Sequence, residues 1–161
     1  MPALAFRPGT VDDVPLVFSF IKALAEYERL AHEVEATEER LRETLFGPRP
    51  YAEVVFAVED GVEVGFALFF HNYSTFLAKP GLYLEDLFVL PEHRGKGIGK
   101  GLLRELARIA VERECGRFEW WVLDWNEPSI EFYRRQGAVA MDEWTVFRVA
   151  GDALMNLACG D

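Results

Sequence analysis

The chain is poor in the residues that build metal and redox centres. Of 161 residues only two are cysteine, Cys115 and Cys159, and neither stands at metal or redox spacing. The three histidines, His32, His71 and His93, are scattered and form no ligand motif. No bound metal is expected, and the cysteines read as reduced thiols. No apolar run is long enough to span a bilayer, and the N-terminal residues lack a basic-then-apolar pattern. The expectation is a soluble, cytoplasmic protein without a membrane partner. Internal repeats, low-complexity segments and linkers are also missing. Positive charge is in deficit: 17 Lys+Arg stand against 27 Asp+Glu, a net −10. Such a field repels nucleic acid and draws cations, so nucleic acid is not an expected partner.

What is present suits one domain spanning residues 1–161, with half of the residues apolar and a full core available. The densest signal runs from Leu84 to Arg104. Tyr83, Leu84, Leu87, Phe88, Val89 and Leu90 read as a strand that Pro91 stops. Ile98, Leu102, Leu103, Leu106 and Ile109 recur at helical spacing. Between them lie Gly95, Gly97, Gly99 and Gly101, with Arg94, Lys96 and Lys100 gathering positive charge against the general trend. Glycine lets the backbone turn sharply and lets a ligand approach its N–H groups. At a helix start those donors and the helix dipole favour an anion. The stretch reads as a pyrophosphate cradle; a glycine-rich turn that only joins strand to helix is the competing reading. No register gives a Walker loop, and every register of Gly-x-Gly-x-x-Gly fails at its last position.

Along the chain, Leu4 and Phe6 mark a first strand that Pro8-Gly9 ends. Thr10 and Asp13 resemble a capping box ahead of a helix with core positions Val14, Val17, Phe18, Ile21, Leu24 and Ala25, ending near Tyr27 or Glu28. Thr37 opens a second helix that Gly47-Pro48 closes. Glu53–Glu59 and Val62–Phe70 form a hairpin about Asp60-Gly61. A loop over residues 71–81 leads to the central strand. Phe118–Leu123 reads as a further strand and Asn126-Glu127-Pro128-Ser129 as a helix start, with the helix ending near Gly137. Trp144–Val149 reads as a last strand, and one helical turn follows from Gly151. The order implies an α/β (α+β) fold around one mixed sheet.

The pattern Arg-x-x-Gly-x-Gly at Arg94, Gly97 and Gly99 resembles the acetyl-CoA pyrophosphate loop of the GCN5-related N-acetyltransferases, the GNAT family. Three further stretches resemble its spermidine/spermine (diamine) acetyltransferase branch: Tyr83-Leu84-Glu85-Asp86-Leu87-Phe88-Val89, Asn126-Glu127-Pro128-Ser129-Ile130-Glu131-Phe132-Tyr133, and Ala25-Glu26-Tyr27-Glu28. The resemblance implies about seven strands, flanking helices, and parallel central strands splayed at one end. It implies that pantetheine pairs with the backbone of Leu87, Phe88 and Val89. Arg94, Gly95, Lys96, Gly97, Ile98, Gly99 and Lys100 would hold the pyrophosphate, and Asn126, Ser129 and Tyr133 would also meet the coenzyme. Positions 126, 130 and 133 share one helix face, which permits that assignment.

The implied reaction is direct attack of a primary amine on the thioester of acetyl-CoA. Glu85 is the candidate base, acting through a water, and Tyr133 the candidate acid for the leaving thiolate. Tyr27, Glu28, Glu33, Glu85, Trp121 and Glu143, with Asp142 as an alternative to Glu143, are candidates to hold a small cationic substrate: a diamine, polyamine or thialysine-like amine. A homodimer is implied. Two other readings stand beside this one, a non-catalytic acyl-CoA sensor or interaction module and a peptide or protein N-acetyltransferase.

Overall fold

A computed structural model describes residues 3–160. The chain separates into two compact units, Met1–Leu123 and Asp124–Asp161. The first holds five strands in the order β1-β2-β3-β4-β5. They are β1 (Leu4–Pro8), β2 (Glu53–Glu59), β3 (Val62–Ser74), β4 (Lys79–Val89) and β5 (Phe118–Trp120). The first four run antiparallel to their neighbours, and β5 lies parallel to β4. Helices α1 (Val14–Tyr27) and α2 (Glu38–Phe46) precede β2, and α3 (Ile98–Glu112) makes the crossover from β4 to β5. The mixed α/β class expected from the sequence is what forms. Among the described residues no helix is long and apolar enough to cross a membrane.

Alternation along β2 explains why both faces of the sheet are covered. Val54 and Phe56 turn to one side, and Val55 and Ala57 to the other, and all four are buried. On the first side Val17, Phe20 and Leu24 of α1 meet Val54, Phe56, Phe66, Leu68 and Phe88. The Phe20 ring lies 5.2 Å from that of Phe66, nearly parallel to it, and 6.1 and 6.4 Å from those of Phe56 and Phe88. On the other side Ile98, Leu102 and Leu106 of α3 are buried. There Gly65 leaves the room that Leu102 needs: a Cβ at Gly65 would come within 3.4 Å of its Cδ1 and 2.9 Å of the Phe88 carbonyl.

The helix starts follow the sequence reading. Thr10 donates from both its N–H and its hydroxyl to the Asp13 carboxylate, and Thr37 accepts from the Arg40 N–H. Arg7 of β1 pairs bidentately with Asp13 at 2.8 Å and with Glu63 of β3 at 2.7 Å. The β2–β3 turn is Asp60-Gly61, both at positive φ.

Several sequence expectations are corrected. Among the described residues the sheet has five strands, where about seven were expected. Residues 71–81 are not a loop: β3 runs to Ser74 and β4 begins at Lys79. Polar Asn72 and Ser74 hid the strand, but pairing with Gly81 and Lys79 extends the ladder. A Cβ at Gly81 would collide with the Asn72 carboxamide oxygen, so glycine is what lets the two strands close. The strand at Phe118–Leu123 ends at Trp120, the last residue paired with β4.

The second unit contains α4 (Glu127–Arg135) and α5 (Gly151–Cys159). Asn126 caps α4 by accepting from the Ser129 N–H at 3.4 Å, and Pro128 sits in the first turn, where a missing N–H costs nothing. Gly137 follows at φ +93°. Trp144–Val149 is not a strand, since it joins no ladder among the described residues. The tail is a nine-residue helix rather than a single turn.

Arg7 holds the Asp13 carboxyl down at about 2 through its hydrogen bonds. A depressed carboxylate contributes stability above its unfolded value near 4 and loses it as pH falls towards 2. Asp13→Asn should therefore be destabilised by about 1 kcal/mol at pH 7, solvent screening at the guanidinium keeping the figure small. The gap to wild type should close between about pH 4 and pH 2 in urea titrations.

Candidate active site

The site in the first unit is made by a departure of β4 from β5. Leu82, Tyr83 and Leu84 pair with Phe118, Glu119 and Trp120, and there the parallel ladder stops. On the β3 side, Leu84 faces Phe69 and Asp86 faces Leu68, so Glu85 is an extra residue with no opposite number. A bulge of this kind bends its strand and re-aims the side chains around it. Beyond it, Glu85–Val89 has no strand partner on the β5 side among the described residues. Backbone groups of alternate residues on that edge are thereby left without a strand to bond. The ladder thus stops short in the stretch where the resemblance implied that the central strands splay.

β4 ends in a single turn of 3₁₀ helix, Pro91–His93, and a glycine loop into α3. Gly95 and Gly97 have φ of +80° and +84°, and no protein atom lies within 4 Å of where a Cβ would stand on either. Among the described residues, no main-chain N–H from Gly95 to Lys100 donates to another protein group; the first to do so is Gly101, to the Gly97 carbonyl. Six amide donors at the positive end of a 15-residue helix are thus without a protein acceptor among the described residues. This fits a diphosphate.

The charged side chains of the loop divide their work. Arg94 donates from Nε to the Val89 carbonyl at 2.9 Å. Its guanidinium carbon lies 4.9 Å from the Tyr27 ring centre and 5.1 Å from that of Phe88. Held in this way, its terminal nitrogens make no ion pair among the described residues. The Lys96 ammonium is engaged by Glu59 at 3.2 Å. Lys100 borders a groove of about 480 Å³ with Leu4, Phe6, Gly97 and Arg104.

Beside the splay, three carboxylates share one field. Glu28 follows the last turn of α1, and Glu85 and Asp86 sit at the bulge. None of them has a hydrogen bond or ion pair among the described residues. Burial, then Glu85, then Glu28 push the Asp86 carboxyl up to about 7. Burial and Glu85 also raise Glu28. Burial and the Glu85, Glu119 and Asp86 charges raise Tyr83 to about 12. The first unit therefore brings Glu28 and Glu85 together and adds Asp86, which the sequence reading missed. The signal was an acidic pair inside an apolar strand, where charge has a cost.

Other candidates lie apart from this group. Glu33 is solvent-exposed beside His32. Trp121 follows the end of β5, largely exposed, with its ring edge-on to Tyr83 at 5.9 Å. In the second unit, Asn126 is buried and Tyr133 half-buried on α4, while Glu143 is exposed.

The acetyltransferase (GNAT) family model matches residues 19–138. The chain belongs to this family. The proteins it is similar to include an L-ornithine N5-acetyltransferase of Arabidopsis thaliana, 37% identical over 94% of this chain and 86% of that protein. A thialysine N-epsilon-acetyltransferase of Mus musculus is 34% identical over 98% of this chain and 99% of that protein. Among solved structures, an integron cassette protein from the mobile metagenome of V. cholerae superposes with a TM-score of 0.81 at 29% identity, covering 96% of this chain and 97% of that one. The chain is an N-acetyltransferase of the GNAT type, a family whose co-substrate is acetyl-CoA. The sensor reading gives way to an enzyme.

Replacing Gly97 by valine forces a β-branched residue to φ +84°, where an L-residue is strained by roughly 1–2 kcal/mol. The loop should leave its open form, and titration calorimetry should find the Kd for CoA raised about tenfold.

Proposed function

We propose that this enzyme acetylates the primary amino group of a small amine carrying a second cationic centre, of the ornithine, thialysine or diamine type. The observation that carries the reading is the group Glu28, Glu85 and Asp86, without a cation of its own, at the point where β4 leaves β5. A dication brings the countercharge that these carboxylates lack. The net charge of −10 favours its arrival. The names of the relatives point to the same substrate class.

In this scheme the coenzyme diphosphate occupies the amides of Gly95–Lys100 with the Arg94 guanidinium beside it. Pantetheine lies along Leu87–Val89. At pH 7 roughly one alkylamine in two thousand is neutral. Glu85, through a water, removes the proton from the attacking ammonium. Asp86 and Glu28 hold the distal cation, away from the reacting nitrogen, whose charged form an adjacent carboxylate would favour. Tyr27, Glu33, Trp121 and Glu143 complete the substrate set. The amine nitrogen bonds to the acetyl carbon as the carbon–sulfur bond breaks. Tyr133 gives its proton to the thiolate, and Asn126 and Ser129 orient the pantetheine. The single catalytic domain is a homodimer and works in the cytoplasm, without nucleic acid.

An assay of CoA release over ornithine, thialysine, diamines, polyamines and peptide N-termini tests this. Turnover is expected on the dicationic amines; turnover on peptides alone would replace the reading with a peptide acetyltransferase. Tyr133→Phe should lower kcat by about 10²–10³-fold.

Asp86 must be ionised to hold a cation, so kcat/KM for the amine should rise as pH passes through about 7. Asp86→Asn should lose that step and raise the amine KM. A profile unchanged by the substitution would remove Asp86 from the site.

A further inference from the structure

Glu59 ends β2, one residue before the hairpin turn, and lies far from the carboxylates that face the splay. Its side chain is only 10% exposed. One carboxylate oxygen accepts from His93 Nδ1 at 3.0 Å and from Lys96 Nζ at 3.2 Å. A carboxylate only accepts, so Nδ1 carries the proton. These two donors hold the Glu59 carboxyl below its usual range.

The position of the two donors gives the contact its meaning. His93 closes the turn after β4, and Lys96 stands between the two positive-φ glycines. They bracket Arg94 and Gly95, at the mouth of the diphosphate cradle. Apart from these two donors, the Arg94 side chain on the Val89 carbonyl is what ties that segment to the sheet. The His93 and Arg94 amides only close the 3₁₀ turn, onto Leu90 and Pro91, and from Gly95 onward the loop amides make no bonds to protein among the described residues, with open space over Gly95 and Gly97. A loop with two glycines pays heavily in backbone freedom when a ligand orders it. A largely covered acceptor on a strand, gripping both ends, removes that freedom in advance. The Glu59 charge would by itself oppose a diphosphate. The Lys96 ammonium beside it offsets that repulsion, so ordering is the larger effect.

We infer that Glu59 is a positioning residue for the coenzyme, fixing the 93–97 segment in its binding form through His93 and Lys96. The inference rests on the coenzyme reading above. It makes Lys96 a tether of the loop rather than a free phosphate ligand, and leaves Arg94 and the amides to meet the diphosphate.

The test is calorimetric binding of CoA together with steady-state kinetics on Glu59→Ala, Glu59→Gln, Lys96→Ala and the Glu59→Ala/Lys96→Ala double variant. Glu59→Ala should raise the Kd for CoA and the KM for acetyl-CoA about tenfold. Its kcat at saturating acetyl-CoA and its KM for the amine should stay within about twofold of wild type. Glu59→Gln can still accept both hydrogen bonds and should fall between the two. The double variant should bind CoA no worse than Glu59→Ala, because both changes break one contact. Wild-type affinity in Glu59→Ala and Glu59→Gln, or tighter binding than wild type, would overturn the inference. So would additive losses in the double variant, which would make Lys96 an independent phosphate ligand. Wild-type protein that binds no CoA would overturn the coenzyme reading itself, and this inference with it.

Discussion

One extra residue in one strand sets the geometry on which the first unit's chemistry depends. Because Glu85 has no opposite number on β3, β4 bends there, and its parallel ladder with β5 ends one residue earlier, at Leu84. Beyond the same bend β4 has no strand on its β5 side among the described residues, and Asp86 lies half-buried in the field of Glu28. A regular β4 would carry the ladder onward, close the opening and turn alternate residues to other faces. Substrate slot and acidic pocket thus have a common origin.

The two halves of that site work with opposite charge. At the cradle, amide dipoles and Arg94 await an anion; beside the bulge, three carboxylates await a cation. Contacts run between them in the first unit. Tyr27 lies under the Arg94 guanidinium, and the next residue, Glu28, belongs to the carboxylate group. The C-terminal turn of α1 therefore touches both halves, through consecutive side chains. Keeping unlike fields apart needs a stiff support. The buried aromatic cluster of Phe20, Phe56, Phe66 and Phe88 provides it, with Phe88 also stacking on Arg94.

Much of this was legible in the sequence because it is local. The glycine loop, the Asp60-Gly61 hairpin, and the caps at Thr10, Thr37 and Asn126 depend on residues a few positions apart, whose backbone needs are carried by their own chemistry. What escaped depends on distant pairing. The length of β3 is set by its partner β4, not by its own apolar pattern, so polar Asn72 and Ser74 looked like loop. The early end of β5 follows from a bulge in another strand. Asp86 differs from any surface aspartate only through burial. The Glu59 contact joins residues 34 and 37 positions apart and has no sequence signature. The missing strand at Trp144–Val149 has the same cause, since β-rich composition forms a strand only where a ladder accepts it.

The strand order also bears on how the first unit assembles. β2, β3 and β4 are joined by tight turns, so their two ladders close with small entropic cost and suit rapid zippering. β1 is different, because Leu4 must find Glu59 across the whole of α1 and α2. Closure entropy places its docking late on the route to the native state. The double engagement of Arg7, with Asp13 nearby in sequence and Glu63 across the meander, then acts as the fastening that keeps a late-arriving edge from fraying.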